Sequence, residues 1–278
     1  MDCELKDITV HYELLGEGRP IIMFHGWSVD NRHMLSDMEP LFRQRDGWKR
    51  IYLDLPGHGR TPGKDLITNQ DKILDVVLDF IDNLIPGQRF VVAGTSAGAY
   101  LARGVVHHRS ESIDGLLLTA PVIVADDAKR HVPSPVILVA DPALASELEP
   151  DEAEMFKLAV IQSRKVVEAM RANFMPASTT GDQAFQAKIR EHPENYGFSF
   201  DVDALSKPCP APTLIVTGRQ DFVVGYRDAW EILENYPRGT FAVLDRSGHF
   251  LPFEQEDLFH ALVDEWLDRV EEYAGVLR

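Results

Sequence analysis

Ser96 lies between two glycines in Gly94-Thr95-Ser96-Ala97-Gly98, after a strand-like run at residues 89–93 and before a helix-like run at 99–103. A serine at so sharp a strand-to-helix turn is lifted clear of the sheet edge, beside the free N–H groups of the new helix, as a nucleophile requires. The turn crowds the backbone two residues to either side, which calls for small residues at 94 and 98. A serine hydroxyl is a poor nucleophile at neutral pH and needs a base within hydrogen-bond reach, itself oriented by a carboxylate. His249, in Ser247-Gly248-His249-Phe250, follows the last strand pattern, and Asp221, in Gly218-Arg219-Gln220-Asp221, follows the one before it. All three side chains therefore fall at strand ends on one sheet edge, in the chain order Ser96, Asp221, His249. Acyl transfer also needs donors aimed at the developing oxyanion. The N–H of Ala97, just after the serine, is one candidate. The N–H of Trp27, in the His25-Gly26-Trp27 loop, is the other, with Gly26 allowing close backbone approach and His25 holding the loop.

Positioning such groups takes a sheet covered on both faces. Short apolar runs without alternation occur at residues 21–24, 51–53, 90–93, 116–118, 214–216 and 241–244, as in a buried parallel sheet. Residues 5–14 alternate instead, which predicts leading antiparallel strands with one wet face. Ile73, Val76, Val77, Phe80, Ile81 and Leu84 form one helical stripe, and Phe259, Leu262, Val263, Trp266, Leu267 and Val270 form another. This alternation predicts an α/β fold with a doubly wound, mostly parallel sheet. It breaks between residues 125 and 207, where proline-punctuated loops lead into a long helical pattern at 151–174 and a shorter one at 182–190. The expected organisation is a core of residues 1–124 and 208–278 with a helical lid insertion at 125–207, over the sheet edge to which Ser96 points.

A formal net charge of −16 disfavours nucleic acid and anionic membrane surfaces as partners. Cys3 and Cys209 are too few for a disulfide framework and lack partners at metal-binding spacing. His107 and His108 read as surface residues and not as a metal site. Residues 1–6 are acidic and carry no apolar leader, and no apolar run approaches membrane-spanning length, so the cytoplasm is the expected compartment. The oligomeric state is left open, a homodimer included.

His25-Gly26-Trp27, the turn at residues 54–60, the serine elbow, Gly218-Arg219-Gln220-Asp221 and Gly248-His249 together resemble the α/β-hydrolase fold superfamily, over about three quarters of the chain. Within it the chain is most similar to lid-bearing, cofactor-free serine esterases and meta-cleavage-product carbon–carbon hydrolases. The resemblance implies Ser96 as nucleophile, His249 as base, Asp221 as its orienter, and Trp27 and Ala97 as oxyanion donors. It also makes His58 part of a structural turn. Some members carry the acid after an earlier strand, where Asp126 or Asp127 stands. Serine at the elbow argues against epoxide hydrolases and haloalkane dehalogenases, and the loop lacks the Gly-Pro-Gly segment usual in the carbon–carbon hydrolases. Met155, Phe156, Val160, Met170 and Phe174 in the lid, with Phe222 and Phe250 beside the acid and base, are the expected substrate-binding residues. Arg164, Arg171 and Arg190 are either surface charges or partners for a substrate carboxylate. The expected partner is a small, largely apolar carboxylic ester, cleaved through an acyl-serine. The alternatives are carbon–carbon bond hydrolysis and a non-catalytic ligand-binding module.

Overall fold

Ile21, Ile22, Met23 and Phe24 are all fully buried, so the strand they form has no wet face and must lie inside a sheet covered on both sides. The computed structural model, which describes residues 1–276, contains that sheet. Its strands are β1 (Asp2–Glu4), β2 (Thr9–Leu15), β3 (Arg19–Phe24), β4 (Trp48–Leu53), β5 (Phe90–Thr95), β6 (Ile113–Thr119), β9 (Thr213–Gly218) and β10 (Gly239–Leu244), while β7 (Val139–Ala140) and β8 (Ile161–Gln162) pair separately. The order across the sheet is β1-β2-β4-β3-β5-β6-β9-β10. The pairings β1–β2 and β2–β4 are antiparallel and all others are parallel. The expected wet face on the leading strands is incomplete: Val10, His11 and Tyr12 are buried in succession. His11 is covered because Asp2 and the turn residues Arg60 and Thr61 close over it.

Successive strand residues divide between two apolar layers, following the two-residue period of a strand. Ile22, Phe24, Val92, Leu116, Leu118 and Ile215 pack with α2 (Gln70–Leu84) and α3 (Ala97–Arg109). Ile21, Met23, Val91, Ala93, Leu117, Leu214 and Val216 face α1 (Asn31–Phe42) and the C-terminal α12 (Glu256–Val276). Helix α2 starts where the Asn69 side chain accepts from the Lys72 N–H. It buries Ile73, Val77, Phe80 and Ile81 of the stripe read from the sequence, with Leu74 added, while Val76 and Leu84 are only partly buried.

Between β6 and β9 lie α4 (Pro142–Ala145), α5 (Pro150–Phe156), α6 (Arg164–Ala169), α7 (Met175–Ala177), α8 (Gln183–Arg190) and α9 (Pro193–Tyr196). The short α10 (Arg227–Glu231) and α11 (Leu251–Glu254) follow in the loops after β9 and β10. The single long helix expected at 151–174 is not formed. The backbone N–H groups of Val160 and Ile161 turn aside to the Glu254 carboxylate, at 2.6 and 3.1 Å, and β8 replaces a helical turn. Ser163 then caps α6, and Met170–Phe174 is a π-helical turn. Arg103 on α3, with a fully buried side chain, donates to the Val122 carbonyl at 3.0 Å and ion-pairs with Asp203. One guanidinium thus ties together the two ends of the segment between β6 and β9.

Trp266 is fully buried, and its indole N–H donates to the Pro212 carbonyl at 2.9 Å, fixing α12 to the entry of β9. Trp266→Ala should cost about 3–5 kcal/mol of stability, as truncation of a large core side chain does. The urea midpoint measures this, and a shift worth under about 1 kcal/mol would show that this contact does not anchor the helix.

Candidate active site

Ser96 holds φ +53° and ψ −117°, a region that L-residues rarely occupy and that costs of order 1–3 kcal/mol. Its surroundings hold it there. The Ser96 N–H donates to the Thr119 carbonyl at 2.9 Å, and its own carbonyl accepts from Ala99 and Val122, each at 3.1 Å. A Cβ on Gly98 would overlap the carbonyl oxygens of Phe24 and His25, and one on Gly94 would overlap the Gly98 carbonyl. Both glycines are therefore steric necessities. Gly26 is not: a Cβ there would sit 3.5 Å from Ser96 Cβ, an ordinary contact.

The loops after β9 and β10 bring Asp221 and His249 to this elbow. His249 Nε2 lies 3.1 Å from Ser96 Oγ, and Nδ1 lies 2.9 Å from Asp221 Oδ2. With Nδ1–H donating to the carboxylate, the Nε2 lone pair is left for the serine hydroxyl. Asp221 is fully buried, and its other oxygen accepts from the Val223 and Val224 N–H groups at 2.8 and 3.0 Å. Asp126 and Asp127 instead pair with Lys129, Arg130 and Arg190. Glu254 was not singled out in the sequence. It accepts from Gly248 N–H at 2.6 Å with one oxygen and from Val160 and Ile161 with the other, so one carboxylate steadies both the histidine loop and β8. Burial raises its pKa above the ordinary carboxylate range, and these three donors oppose the rise.

The His25-Gly26-Trp27 loop comes off the end of β3. His25 is fully buried; Nδ1–H donates to Gly26 O at 2.7 Å and Nε2 accepts from Leu55 N–H at 3.0 Å. Both ring nitrogens are committed, and burial holds its pKa below the ordinary value, so it stays neutral. Asp54 receives Asn31 N–H at 2.9 Å and Arg60 N–H at 2.8 Å, which closes the turn at 54–60. His58 in that turn donates to Pro56 O and packs against the Trp27 ring. Among the described residues, the N–H groups of Trp27 and Ala97 have no protein acceptor.

A cavity of about 390 Å³ opens on Ser96 and His249. Of the expected lining residues, Met155, Phe174 and Phe250 border it, joined by Val29, His33, Leu158, Ser178, Pro252 and Phe253. Phe156, Val160 and Met170 do not border it. They pack with Leu144, Val166 and Val167, and with Phe250 and Phe253 from beyond β10, in a separate apolar cluster. Phe222 is half-buried beside Asp221 and also lies off the lining. Arg164 and Arg171 pair with Glu147 and Glu152 at 3.0 and 2.7 Å. Arg190 pairs with Asp127 and borders a smaller cavity of about 300 Å³ with Trp27, Ser28 and Ser178. Among the described residues no helix is long and apolar enough to cross a membrane.

A model of the alpha/beta hydrolase family matches residues 21–262. Among curated proteins, the chain is 23% identical over 270 residues to a pimeloyl-[acyl-carrier protein] methyl ester esterase of Legionella pneumophila (strain Paris), covering 94% of this chain and 100% of that one. It is also 23% identical to a 2-hydroxy-6-oxo-6-(2'-aminophenyl)hexa-2,4-dienoic acid hydrolase of Metapseudomonas resinovorans, covering 94% and 88% of the two chains. Among solved structures, an alpha/beta superfamily hydrolase from Oenococcus oeni PSU-1 superposes with a TM-score of 0.86 at 27% identity, over 98% of this chain and 99% of that one.

Gly98→Ala must push the elbow away from the end of β3, so it should cost about 1–3 kcal/mol of stability and most of the activity. Unchanged thermal unfolding and turnover would contradict this packing. Burial pushes the Asp37 carboxyl up from 3.8 to about 8. The folded protein then keeps a proton that the unfolded chain has released, and this group's contribution to stability falls as pH rises through that window. Asp37→Asn removes the titration, so its stability relative to wild type should rise from pH 5 to pH 8. Urea midpoints at the two pH values that differ by the same amount in both proteins would refute it.

Proposed function

Because the chain belongs to the alpha/beta hydrolase family, we propose that it is a serine esterase acting on a small, largely apolar carboxylic ester. One observation carries the reading: His249 Nε2 stands 3.1 Å from Ser96 Oγ while Nδ1 is held at 2.9 Å by a buried carboxylate. Ser96 Oγ attacks the ester carbonyl carbon as its proton passes to Nε2, and the carbonyl electrons move onto oxygen. The N–H groups of Ala97 and Trp27 receive that oxyanion, since neither is spent on a protein acceptor. Collapse breaks the acyl C–O bond, and Nε2–H protonates the leaving alcohol. Water then gives its proton to Nε2 and attacks the acyl carbon, releasing the acid and restoring Ser96. The apolar wall of Val29, Met155, Leu158, Phe174, Phe250 and Phe253 is suited to the acyl group, and residues 125–207 act as its lid. The reaction named for the Legionella relative, cleavage of a methyl ester, is of the same class.

Carbon–carbon hydrolysis of a dienoic acid is the second reading, favoured by the Metapseudomonas relative. A carboxylate of that substrate calls for a cation in the cavity. Arg164 and Arg171 are engaged in ion pairs elsewhere, and among the described residues no Lys or Arg borders the cavity beside Ser96. The ester reading is preferred on that ground.

Ser96→Ala should lower kcat on p-nitrophenyl butanoate by about 10³-fold or more, and adding His249→Ala should cost little further, because the two residues act as a unit. Near wild-type turnover by the Ser96→Ala protein would end the proposal. Across p-nitrophenyl esters, kcat/KM should be higher for butanoyl than for dodecanoyl, since the cavity is small. A steady rise with chain length would contradict the assignment of the acyl site.

A further inference from the structure

A cavity of about 300 Å³ adjoins the one beside Ser96, and Trp27, Ser28 and Ser178 border both. The two differ in their walls. The larger is lined chiefly by aliphatic and aromatic side chains, whereas four polar ones, those of Thr180, Gln183, Gln186 and Arg190, complete the smaller. Two of these polar groups are already engaged. Thr180 Oγ1 donates to Asp30 Oδ2 at 2.6 Å and accepts from Arg32, and the Arg190 guanidinium pairs with Asp127 at 2.6 Å while lying 4.0 Å over the Tyr196 ring. The charge of Arg190 is thus met within the protein.

Gln186 is the exception. Only 7% exposed, it donates from Nε2 to the Gly57 carbonyl at 2.9 Å, which fixes the orientation of its amide. Among the described residues Oε1 accepts no hydrogen bond, yet it is not sealed from solvent as His58 Nε2 and Gln70 Oε1 are. The cavity wall therefore carries an acceptor held in place with nothing to receive. Ser28, exposed and at φ +64°, keeps a hydroxyl that makes no hydrogen bond among the described residues, in a backbone conformation that glycine would take without strain. A fixed acceptor on a wall without unpaired charge suits a neutral ligand that brings O–H groups.

Building on the esterase reading, we propose that the smaller cavity holds the alcohol half of the ester and that this half is an uncharged polyol, whose further hydroxyl groups bond Gln186 Oε1 and Ser28 Oγ. Trp27 marks the fork. Its N–H receives the oxyanion and the residue borders both cavities, so the two branches of the ester part at the carbonyl carbon, hydrocarbon acyl to one side and polyol to the other. The reaction is the one already written, with the polyol as the alcohol that leaves. Gln186 and Ser28 are specificity residues for that leaving group and take no part in proton transfer.

Three esters of matched length test this: propyl butanoate, the primary glyceryl monobutanoate, and propyl dihydroxybutanoate, which carries its hydroxyl groups on the acyl side. With wild-type protein, kcat/KM should be about 10-fold higher for the glyceryl ester than for propyl butanoate, and the dihydroxybutanoate should show no such gain. In Gln186→Met, which keeps the volume and removes the polar atoms, the glyceryl advantage should fall to within about twofold. Should that variant fail to fold, Ser28→Gly decides, since it removes the hydroxyl while relieving the backbone, and it should cut the advantage by about half or more. The proposal is overturned if the glyceryl ester has no advantage, if the acyl-side hydroxyl groups confer it instead, or if the deciding variant keeps it. Calorimetric affinities of the same esters for the Ser96→Ala protein are read separately. A glyceryl preference in binding that is lost with Gln186, without hydrolysis by wild-type protein, would refute the esterase reading and leave the polyol site standing. Equal hydrolysis of all three esters would do the reverse.

Discussion

The carbonyl oxygens of Phe24 and His25 lie where a side chain at position 98 would have to go, and the Gly98 carbonyl lies where one at position 94 would. This three-way approach of β3, β5 and the start of α3 holds Ser96 in a backbone conformation it would not otherwise keep. The rest of the site depends on that constraint. The end of β3 must be rigid for the contact to bind, and β3 is rigid because it pairs with β4 and β5 and is buried on both faces. The strain at Ser96 is sustained by sheet packing and by hydrogen bonds to Thr119, Val122 and Ala99. Helix α3 then begins where its first N–H groups are free to meet an anion.

Geometry also separates the half-buried His249 from the buried imidazoles. His25 has given both nitrogens to the backbone, and His58 donates to Pro56. Desolvation keeps His25, His33 and His58 uncharged. Among the described residues, only His249 is oriented by a buried carboxylate on one side with a hydroxyl on the other. Histidine content alone says nothing of this. The partners distinguish them, and the partners come from strands far apart in the chain.

The sheet and the meeting of Ser96, Asp221 and His249 were legible in the sequence because each depends on a strand end, and strand ends show as the limits of apolar runs. The cavity wall was less so. Residues 151–174 carry apolar side chains around more than one helical face, and the pattern cannot show that Glu254, some ninety residues further on, captures two N–H groups and breaks the helix at Val160. Phe156, Val160 and Met170 pack in a separate apolar cluster, while Met155 and Phe174 border the cavity. Helix α1 drew no attention either, although Met34, Met38, Leu41 and Phe42 are spaced for one buried face, and with it His33 was missed. A histidine four residues before an aspartate on such a face was the available signal.

Glu254 carries a consequence for the loop that holds His249. Its two oxygens join the backbone at Gly248, next to His249, to the backbone at Val160 and Ile161. Lifting β8 away from Glu254 would break hydrogen bonds of 2.6 and 3.1 Å and leave a desolvated carboxylate partly uncompensated near His249. Residues 160 and 161 are thus riveted to the loop that carries His249, whereas the smaller cavity adjoins the larger along Trp27, Ser28 and Ser178. A change at position 254 would therefore loosen β8 and the loop that carries His249 together.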